Sequence, residues 1–289
     1  MQFLIKYLFF STLIFFSCSC LAQLSMVRIA ELPEKMYETS GLVFYDNKYI
    51  LTQNDGGNKS ELFVLDLTGK HIKTINIEGA ENKDWEDLTQ DDEGRVYIGD
   101  FGNNTNKRES CKIYILPKDF IEKNSIIPKV ITFNYEDQKD FPPSEENLNF
   151  DCEAFFWKDD SLYLFSKCRT KPFTGITNVY VVPAKAGNYT AKKVGSVTLC
   201  SSNWQFCSVT SVDYNAKFKM IAILTYSRLY LVFGFSGNNF WEGKLKSYQL
   251  TLIRQREAIC FKSKNSWYLT DEFKKGLGGG NLYEVKLKE

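Results

Sequence analysis

Three glutamates open short segments of similar pattern, each an alternating run of apolar residues: Glu86 in EDLTQD, Glu153 in EAFFWK and Glu257 in EAICFK. A second apolar run follows each segment and closes on a polar residue. Carboxylate and amide oxygens are the ligands that Ca²⁺ takes in proteins. The pattern therefore predicts a Ca²⁺-like cation site, with the candidate ligands Asn54, Glu86, Asp100, Glu153, Glu257 and Asp271.

The segments that carry these residues repeat five times along the chain. The other two begin at Ser40 (SGLVFY) and Ser211 (SVDYNA). The interval from the opening residue to the closing polar residue is constant: 40 to 54, 86 to 100, 153 to 167, 211 to 225 and 257 to 271. Two alternating runs joined by a turn are typical of a β-hairpin. The sequence therefore predicts five equivalent hairpins.

Two further strand-like runs follow each hairpin, except that only NLYEVKLK follows the fifth. The missing strand is available near the N-terminus as SMVRIAEL, and a chain that closes its last sheet in this way leaves no open edge. We predict an all-β β-propeller of five blades, with the N-terminal strand closing the last blade. Six blades is the alternative, if the polar insert 136–149 hides strands; a β-sandwich does not explain the constant interval.

In a propeller the first strand of each blade lines the central channel, so the hairpin ends are expected to meet on one face. Carboxylates confined there raise one another's pKa or recruit a cation. Lys167 closes the third hairpin and, with Arg169 and Arg256, offers positive charge to the glutamates. Three interpretations stay open: a bound cation, glutamates that hydrogen-bond the backbone of neighbouring blades, and a direct catalytic role.

Composition excludes several classes of function. The chain has 36 basic and 35 acidic residues, so its overall charge does not favour a nucleic-acid partner. It has one histidine, His71, which rules out a multi-histidine metal site. His71 lies in LTGKHIKT, where we expect a surface turn between the third and fourth strands of a blade.

The N-terminal segment has the pattern of a signal peptide. Lys6 precedes an apolar run at 7–16 and a stretch of small residues. Cleavage after Ala22 is favoured, and lipidation at Cys18 or Cys20 is the alternative. We expect a secreted or periplasmic protein in which residues 23–289 form one domain, without a transmembrane segment, as a monomer.

Six cysteines remain after residue 22, and an oxidising compartment permits disulfides among them. Cys200 and Cys207 are close enough in sequence to join one loop. Buried free cysteines are an equally consistent interpretation.

Four motifs carry a resemblance to known proteins: DWEDLTQDDEGRVYIGDFGNN, ETSGLVF, DCEAFFW and REAICF with YLTDE. They resemble a group of secreted bacterial propeller proteins over nearly the whole mature chain. More distantly the chain is similar to SdiA-regulated and esterase-like-phytase propellers, and to the calcium-dependent gluconolactonase and paraoxonase-like group. The last resemblance implies calcium ligands at Asn54, Glu86, Asp100 and Glu257. Lys167 and the single histidine depart from that group and argue against lactonase activity.

Two hypotheses of function follow. The first is an exported propeller that binds a small molecule or protein ligand at an acidic channel mouth, with a Ca²⁺-like cation. The alternative is a metal-dependent hydrolase of a lactone, ester or phosphoester, using metal-activated water and a glutamate base.

Overall fold

The regular structure of the chain is almost entirely β. The computed structural model describes residues 23–200, 202–250 and 254–288, so the predicted signal peptide, with Cys18, Cys20 and Ala22, lies outside the described residues. In the described part there are 21 strands and one short α-helix, α1 (Trp204–Cys207). Four 3-10 turns are interspersed, at Glu34–Met36, Phe120–Glu122, Glu145–Asn147 and Phe240–Glu242. The all-β prediction is confirmed.

The strands divide into two halves of the chain. The first ten are β1 (Leu24–Glu31), β2 (Thr39–Tyr45), β3 (Tyr49–Asn54), β4 (Glu61–Leu65), β5 (His71–Ile77), β6 (Trp85–Gln90), β7 (Val96–Asp100), β8 (Cys111–Leu116), β9 (Ser125–Ile126) and β10 (Lys129–Tyr135). The others are β11 (Asp151–Lys158), β12 (Ser161–Lys167), β13 (Ile176–Pro183), β14 (Gly187–Thr198), β15 (Val209–Asn215), β16 (Met220–Thr225), β17 (Arg228–Phe233), β18 (Lys244–Gln249), β19 (Arg256–Ser263), β20 (Ser266–Asp271) and β21 (Asn281–Leu287).

Antiparallel pairing groups these strands into five four-stranded units. Unit I is β2–β5, unit II is β6, β7, β8 and β10, unit III is β11–β14, unit IV is β15–β18, and unit V is β19–β21 completed by β1. The five predicted hairpins are the first two strands of each unit. β1 pairs antiparallel with β21, as predicted for the N-terminal strand.

Two contacts link units at their outer edges. β10 of unit II pairs in parallel with β14 of unit III, which joins the two units into one eight-stranded sheet. The short strand β9 pairs in parallel with β5 of unit I. The insert 136–149, in which a sixth blade would need strands, contains no strand in the described chain, only the 3-10 turn Glu145–Asn147.

The first strands of the five units pack side by side in a closed ring. β2 contacts β6, β6 contacts β11, β11 contacts β15, β15 contacts β19, and β19 contacts β2. The remaining strands of each unit lie progressively farther from this ring, in the pairing order above.

The core consists of five apolar clusters, one between each pair of neighbouring units. Consecutive side chains point to opposite faces of a strand, so Phe155 packs against unit II while Phe156 packs against unit IV. Both faces of the inner strands are therefore buried, which is why those strands read as nearly continuous apolar runs. Representative pairs are Leu51 with Ile98, Ile113 with Phe155, Phe156 with Val212, Leu224 with Leu269, and Tyr268 with Phe63.

Cys200 and Cys207 form a disulfide with their Cα atoms 5.3 Å apart, which confirms that they join one loop. The other four cysteines after residue 22 are free and buried: Cys111, Cys152, Cys168 and Cys260. His71 begins β5 directly after the turn from β4 and is partly exposed, in the position predicted for it. No helix in the described residues has the length and apolar character needed to cross a bilayer.

Candidate functional site

The candidate site lies at the mouth, which we define as the end of the ring where the first strand of each unit begins and the second ends. Each first strand has a β-bulge there. A bulge leaves an extra, unpaired residue in one strand and re-aims its side chain. The register shifts between Thr39 and Gly41, Trp85 and Leu88, Cys152 and Ala154, Val209 and Ser211, and Arg256 and Ala258.

The bulges explain why three predicted glutamates share one environment. Glu86, Glu153 and Glu257 all stand at bulged positions, in units II, III and V. Each is at most 8% exposed. Glu86 is repelled by Glu153, and Glu153 in turn by Glu257, so the three carboxylates meet at the mouth.

The same bulges move the cross-strand partners by one residue. In regular hairpins of this interval, Asn54, Asp100 and Asp271 would pair with the opening residues Ser40, Glu86 and Glu257. Their partners in the register are instead the preceding residues, Thr39, Trp85 and Arg256. The constant interval in the sequence thus marks a bulged hairpin and not a regular one.

Asp55, Asp84 and Glu86 form the acidic triad. Asp55 follows β3 of unit I, Asp84 directly precedes β6 of unit II, and one carboxylate oxygen from each lies within 4.8 Å of the others. Asp84 lies in the bend before β6, two residues before Glu86, and the bulge at Glu86 re-aims the glutamate toward it. The spacing of the three oxygens matches a cation with oxygen ligands at about 2.3–2.6 Å.

Two glycines make room for the triad. A Cβ on Gly102 would lie 2.2 Å from Oε1 of Glu86 and 2.5 Å from Oδ2 of Asp84. A Cβ on Gly56 would lie 2.5 Å from Oδ1 of Asp84. Only glycine lets the backbone approach the carboxylates this closely. The triad is therefore held between the loops that follow β3 and β7.

The triad carries charge that no cation of the described protein neutralises directly. Glu86 is 5% exposed, and no described residue donates a hydrogen bond to its carboxylate. Burial raises the pKa of Glu86 well above its usual value, and repulsion by Glu153, Asp55 and Asp84 raises it further. Burial likewise raises the pKa of Asp55 and of Asp84 to about 6.

The mouth has a second, ion-paired side in unit III. Lys167 Nζ lies 2.9 Å from Oε1 of Glu153, and Arg169 lies 3.4 Å from the same oxygen. Arg169 also pairs with Asp151 at 2.6 Å. Burial opposes the charged form of Lys167, but attraction to Glu153 and the other negative groups at the mouth together outweighs it and raises the pKa of the lysine. Lys167 Nζ also donates a hydrogen bond to the Tyr226 hydroxyl, at 3.2 Å.

Glu257 completes the mouth from unit V. Burial raises the pKa of its carboxyl to about 8; attraction to Lys167 opposes that shift, and repulsion by Glu272 and Asp55 adds to it. Burial also raises the pKa of Glu272, whose Oε1 pairs with Lys274 at 3.1 Å. Oε2 of Glu272 is buried without a hydrogen-bond partner in the described chain.

The closing residues Asp100 and Asp271 are engaged within their own units. Asp100 pairs with Arg108 at 3.0 Å and accepts a hydrogen bond from the backbone N–H of Asp84. Asp271 accepts hydrogen bonds from the backbone N–H of Asn281 and from the Tyr283 hydroxyl, at 2.9 and 2.8 Å.

Asn54 is placed differently from the two closing aspartates. It donates through Nδ2 to the carbonyl of Lys35 at 2.7 Å. Its Oδ1 is buried and lacks a partner among the described residues. Asn54 therefore keeps a free acceptor next to Asp55.

Deeper in the ring, other side chains bind the units together. Asp87 is fully buried and accepts hydrogen bonds from the backbone N–H groups of Phe155 in unit III and Val212 in unit IV, at 3.3 and 3.4 Å. Asp213 accepts from the N–H of Phe261 in unit V at 2.7 Å. Hydrogen bonding between neighbouring blades was one interpretation of the glutamates. These contacts are made by the aspartates one level below them.

Comparison with known proteins addresses the fold. No protein-family model matches the chain, and no curated protein matches its sequence. The Malassezia sympodialis allergen Mala s 1 superposes with a TM-score of 0.54 at 11% identity, covering 91% of this chain and 95% of that one. The PQQ-bound aldose sugar dehydrogenase of Streptomyces coelicolor gives 0.51 at 10% identity, covering 92% and 99%. The chain is a β-propeller.

A gluconolactonase from Xanthomonas campestris has a lower TM-score of 0.45 at 11% identity, covering 86% of this chain and 72% of that one. At these identities the likeness extends to the propeller fold alone. The resemblance to particular propeller families stays a prediction.

Four residues of the site were not among the candidate site residues predicted from the sequence: Asp55, Gly56, Asp84 and Gly102. Asp84 precedes the repeated segment, so the constant interval gave no signal for it. Gly102 was noted only as part of GDFGNN, and its neighbours Asn103 and Asn104 are occupied. The backbone N–H of Asn103 donates to the Asp151 carboxylate, and Oδ1 of Asn104 accepts from Arg169.

Proposed function

We propose that the protein binds a Ca²⁺-like divalent cation at the acidic triad, and through it an oxygen-rich ligand at the propeller mouth. One observation carries the proposal: Glu86 is 95% buried from solvent, accepts no hydrogen bond from a described residue, and faces two further carboxylates within 4.8 Å. Buried charge without a partner is strongly unfavourable. A divalent cation would neutralise the triad and use its oxygens as ligands.

The proposal keeps some of the ligands predicted from the sequence and reassigns the others. Glu86 remains central and is joined by Asp55 and Asp84. Asn54 offers a free Oδ1 beside Asp55 and is a further ligand candidate. We assign the other four predicted residues to supporting roles, because their carboxylates have partners or lie across the mouth: Asp100, Glu153, Glu257 and Asp271.

We propose five blades, one for each four-stranded unit. The closed ring of five first strands and the absence of strands from the described insert 136–149 support this count. Each blade contributes one bulge to the mouth, so the asymmetry of the site comes from side chains and not from missing blades.

The ligand would lie between the triad and the ion-paired side. A cation polarises a bound hydroxyl, carbonyl or phosphoryl oxygen. Lys167, Arg169 and Tyr226 stand across the mouth and offer N–H and O–H donors. We therefore favour a small molecule with several oxygen atoms, such as a polyol or a carboxylated sugar.

Hydrolysis is the second candidate function, and Glu257 favours it. Its pKa of about 8 lies close to neutral pH, which suits a group that takes and returns a proton. In this version Glu257 would act as general base toward water bound in the mouth. Replacing Glu257 with Gln would then abolish turnover of a lactone, ester or phosphoester while Ca²⁺ binding persists.

Calorimetric titration of the chelator-treated mature protein with CaCl₂ tests the cation. We expect one saturable site, and loss of affinity of at least about tenfold in Asp84→Asn, because one charged ligand is removed. Asp100→Asn is the matched control, because it removes the same charge from the same unit. Asp100 pairs with Arg108 and not with the triad, so this variant should keep its Ca²⁺ affinity. Loss of affinity in Asp100→Asn but not in Asp84→Asn would favour the ligand set predicted from the sequence. Absence of a saturable Ca²⁺ site in the native protein would contradict the proposal.

We further propose export of the chain after cleavage at Ala22, as a monomer. The disulfide between Cys200 and Cys207 supports an oxidising compartment. Mass spectrometry of the protein from its own cells should give a chain that begins at Gln23. A lipid-modified N-terminus at Cys18 or Cys20 would contradict it, and light scattering of that sample reports the oligomeric state.

A further inference from the structure

A second concave surface lies at the end of the ring opposite the mouth. It is a cavity of about 840 Å³ between units II and III. Its walls come from the β6–β7 turn, the ends of β8 and β10, and the β13–β14 turn. We call it the basic groove and define it by Arg95, Lys118, Lys129, Lys185 and the apolar residues named below.

The groove carries unbalanced positive charge. Arg95 is neutralised by Asp91 at 2.5 Å and contacts Glu93 at 3.6 Å. The three lysines Lys118, Lys129 and Lys185 are exposed and form no ion pair within the described residues. Asp160 is the remaining carboxylate that lines the groove. Arg95 and the three lysines against Asp91, Glu93 and Asp160 give four positive and three negative groups, a net charge of +1 that favours an anion.

The same groove has an apolar side. Ile127 is 77% exposed, the highest value among the large apolar side chains of the described chain. A single exposed isoleucine is unremarkable on a soluble protein. Here it lines the cavity together with Ile115, Pro117, Pro183, Ala184 and Ala186. Apolar walls and convergent charged groups in one cavity are the usual composition of a small-molecule site.

The walls of the groove are fixed before any ligand arrives. The parallel pairing of β10 with β14 holds the two units together beside it. Asp91 accepts hydrogen bonds from the backbone N–H of Glu93 and Arg95, at 3.0 and 2.8 Å, which sets the β6–β7 turn. The Tyr97 hydroxyl bridges Asp91 and the carbonyl of Ala184. A preformed site loses less free energy on ordering when it binds.

We propose that the basic groove binds an anionic amphiphile, a small molecule with an apolar body and a carboxylate, sulfonate or phosphate head. The apolar body would lie against Ile115, Ile127 and Pro183, and the head against Lys129 and Lys185. The cavity volume falls within the range of about 300–1,000 Å³ that small ligands use. An acidic peptide is the competing occupant. The limited volume of the cavity, bounded by turns and strand ends of two units, favours the compact ligand.

The test uses 1-anilinonaphthalene-8-sulfonate as a probe of this chemistry, with the folded mature protein. We expect saturable fluorescence enhancement, displacement by decanoate, and no displacement by decanol at equal concentration. The double variant Lys129→Glu with Lys185→Glu should weaken probe binding by at least about tenfold, because it reverses the charge that faces the head group. Ile127→Asp should weaken it as well, through the apolar side.

Two controls keep the proposal falsifiable. Lys48→Glu reverses a lysine at the same end of the ring, outside the groove, and should leave probe affinity unchanged, as should Asp84→Asn in the mouth. Circular dichroism of every variant identifies any that has lost its fold; for those, Lys129→Gln and Lys185→Gln replace the charge reversals. Equal binding by all folded variants, displacement by decanol, or displacement by hexaglutamate but not by decanoate would each overturn the proposal.

Discussion

Units II and III present the same two acidic residues to the mouth and surround them differently. Unit II has Asp84-Trp85-Glu86 before and at its bulge, and unit III has Asp151-Cys152-Glu153. Both glutamates are buried to a similar degree, at 5% and 4% exposure. Glu153 is paired with Lys167 and Arg169, whereas Glu86 faces Asp55 and Asp84.

The difference arises in the second strand of each hairpin. Counting from the glutamate, the fourteenth and sixteenth residues are Asp100 and Gly102 in unit II and Lys167 and Arg169 in unit III. The cations of unit III neutralise their own Asp-x-Glu pair. Gly102 instead brings backbone against the carboxylates of unit II and supplies no charge. One scaffold thus produces a closed ion pair in one blade and an open acidic triad in the next.

The largest expected effect is on the ion-paired side. Lys167→Met should lower the free energy of unfolding by about 3–5 kcal/mol, because it leaves Glu153 buried with only the more distant Arg169. Urea unfolding in the presence of chelator measures this value. A loss below about 1 kcal/mol would mean that Glu153 is already protonated in the native state, and the contrast between the units would disappear.

Asp213 supplies a third case, a half-buried carboxylate held by backbone N–H groups. Burial raises its pKa to about 7. Because the folded pKa exceeds the unfolded value near 3.9, the stabilising protonated form is lost as pH rises from about 4 to 7. The free energy of unfolding should therefore fall by about 2–4 kcal/mol over this range in the native protein, at roughly 1.4 kcal/mol per pKa unit. Asp213→Asn should remove that fall. Chemical unfolding at several pH values measures the slope, and an unchanged slope would contradict the argument.

On the acidic side, removal of one charge should stabilise the protein, opposite in sign to the effect of Lys167→Met. Glu86→Gln removes repulsion with Asp55 and Asp84 and should stabilise the metal-free protein at pH 8 by about 1–2 kcal/mol. It should also remove the stabilisation that CaCl₂ gives the native protein. Thermal melts with chelator and with CaCl₂ measure both. Glu153→Gln is the matched control in unit III and should destabilise under both conditions, since it breaks the pair with Lys167.

The sequence located the scaffold better than the site, for a physical reason. The interval from Glu86 to Asp100 recurs because each blade must carry the same hairpin, so one pattern places all five inner strands. The partner of each charge depends on the loop that follows. Asp100 lies against Arg108, eight residues downstream in an irregular segment whose path no periodicity reveals. Asp84 joins Glu86 only because a bulge re-aims the glutamate, and a bulge has no composition of its own.

The smallest expected effect on stability tests the role of the glycine directly. In Gly102→Ala the new methyl group would lie 2.2 Å from the Glu86 carboxylate. That carboxylate ends a flexible side chain, which can rotate away. We expect a loss of about 1 kcal/mol or less in chelator, because no backbone blocks the rotation. Glu86 would no longer face Asp84, so Ca²⁺ affinity measured by titration should fall further than stability does.

Gly57→Ala is the control, since its Cβ position is open and its φ of +81° carries only local strain. Equal Ca²⁺ affinity in the two variants would show that the close approach at Gly102 does not shape the triad, and that the contrast with unit III rests on the missing cations alone.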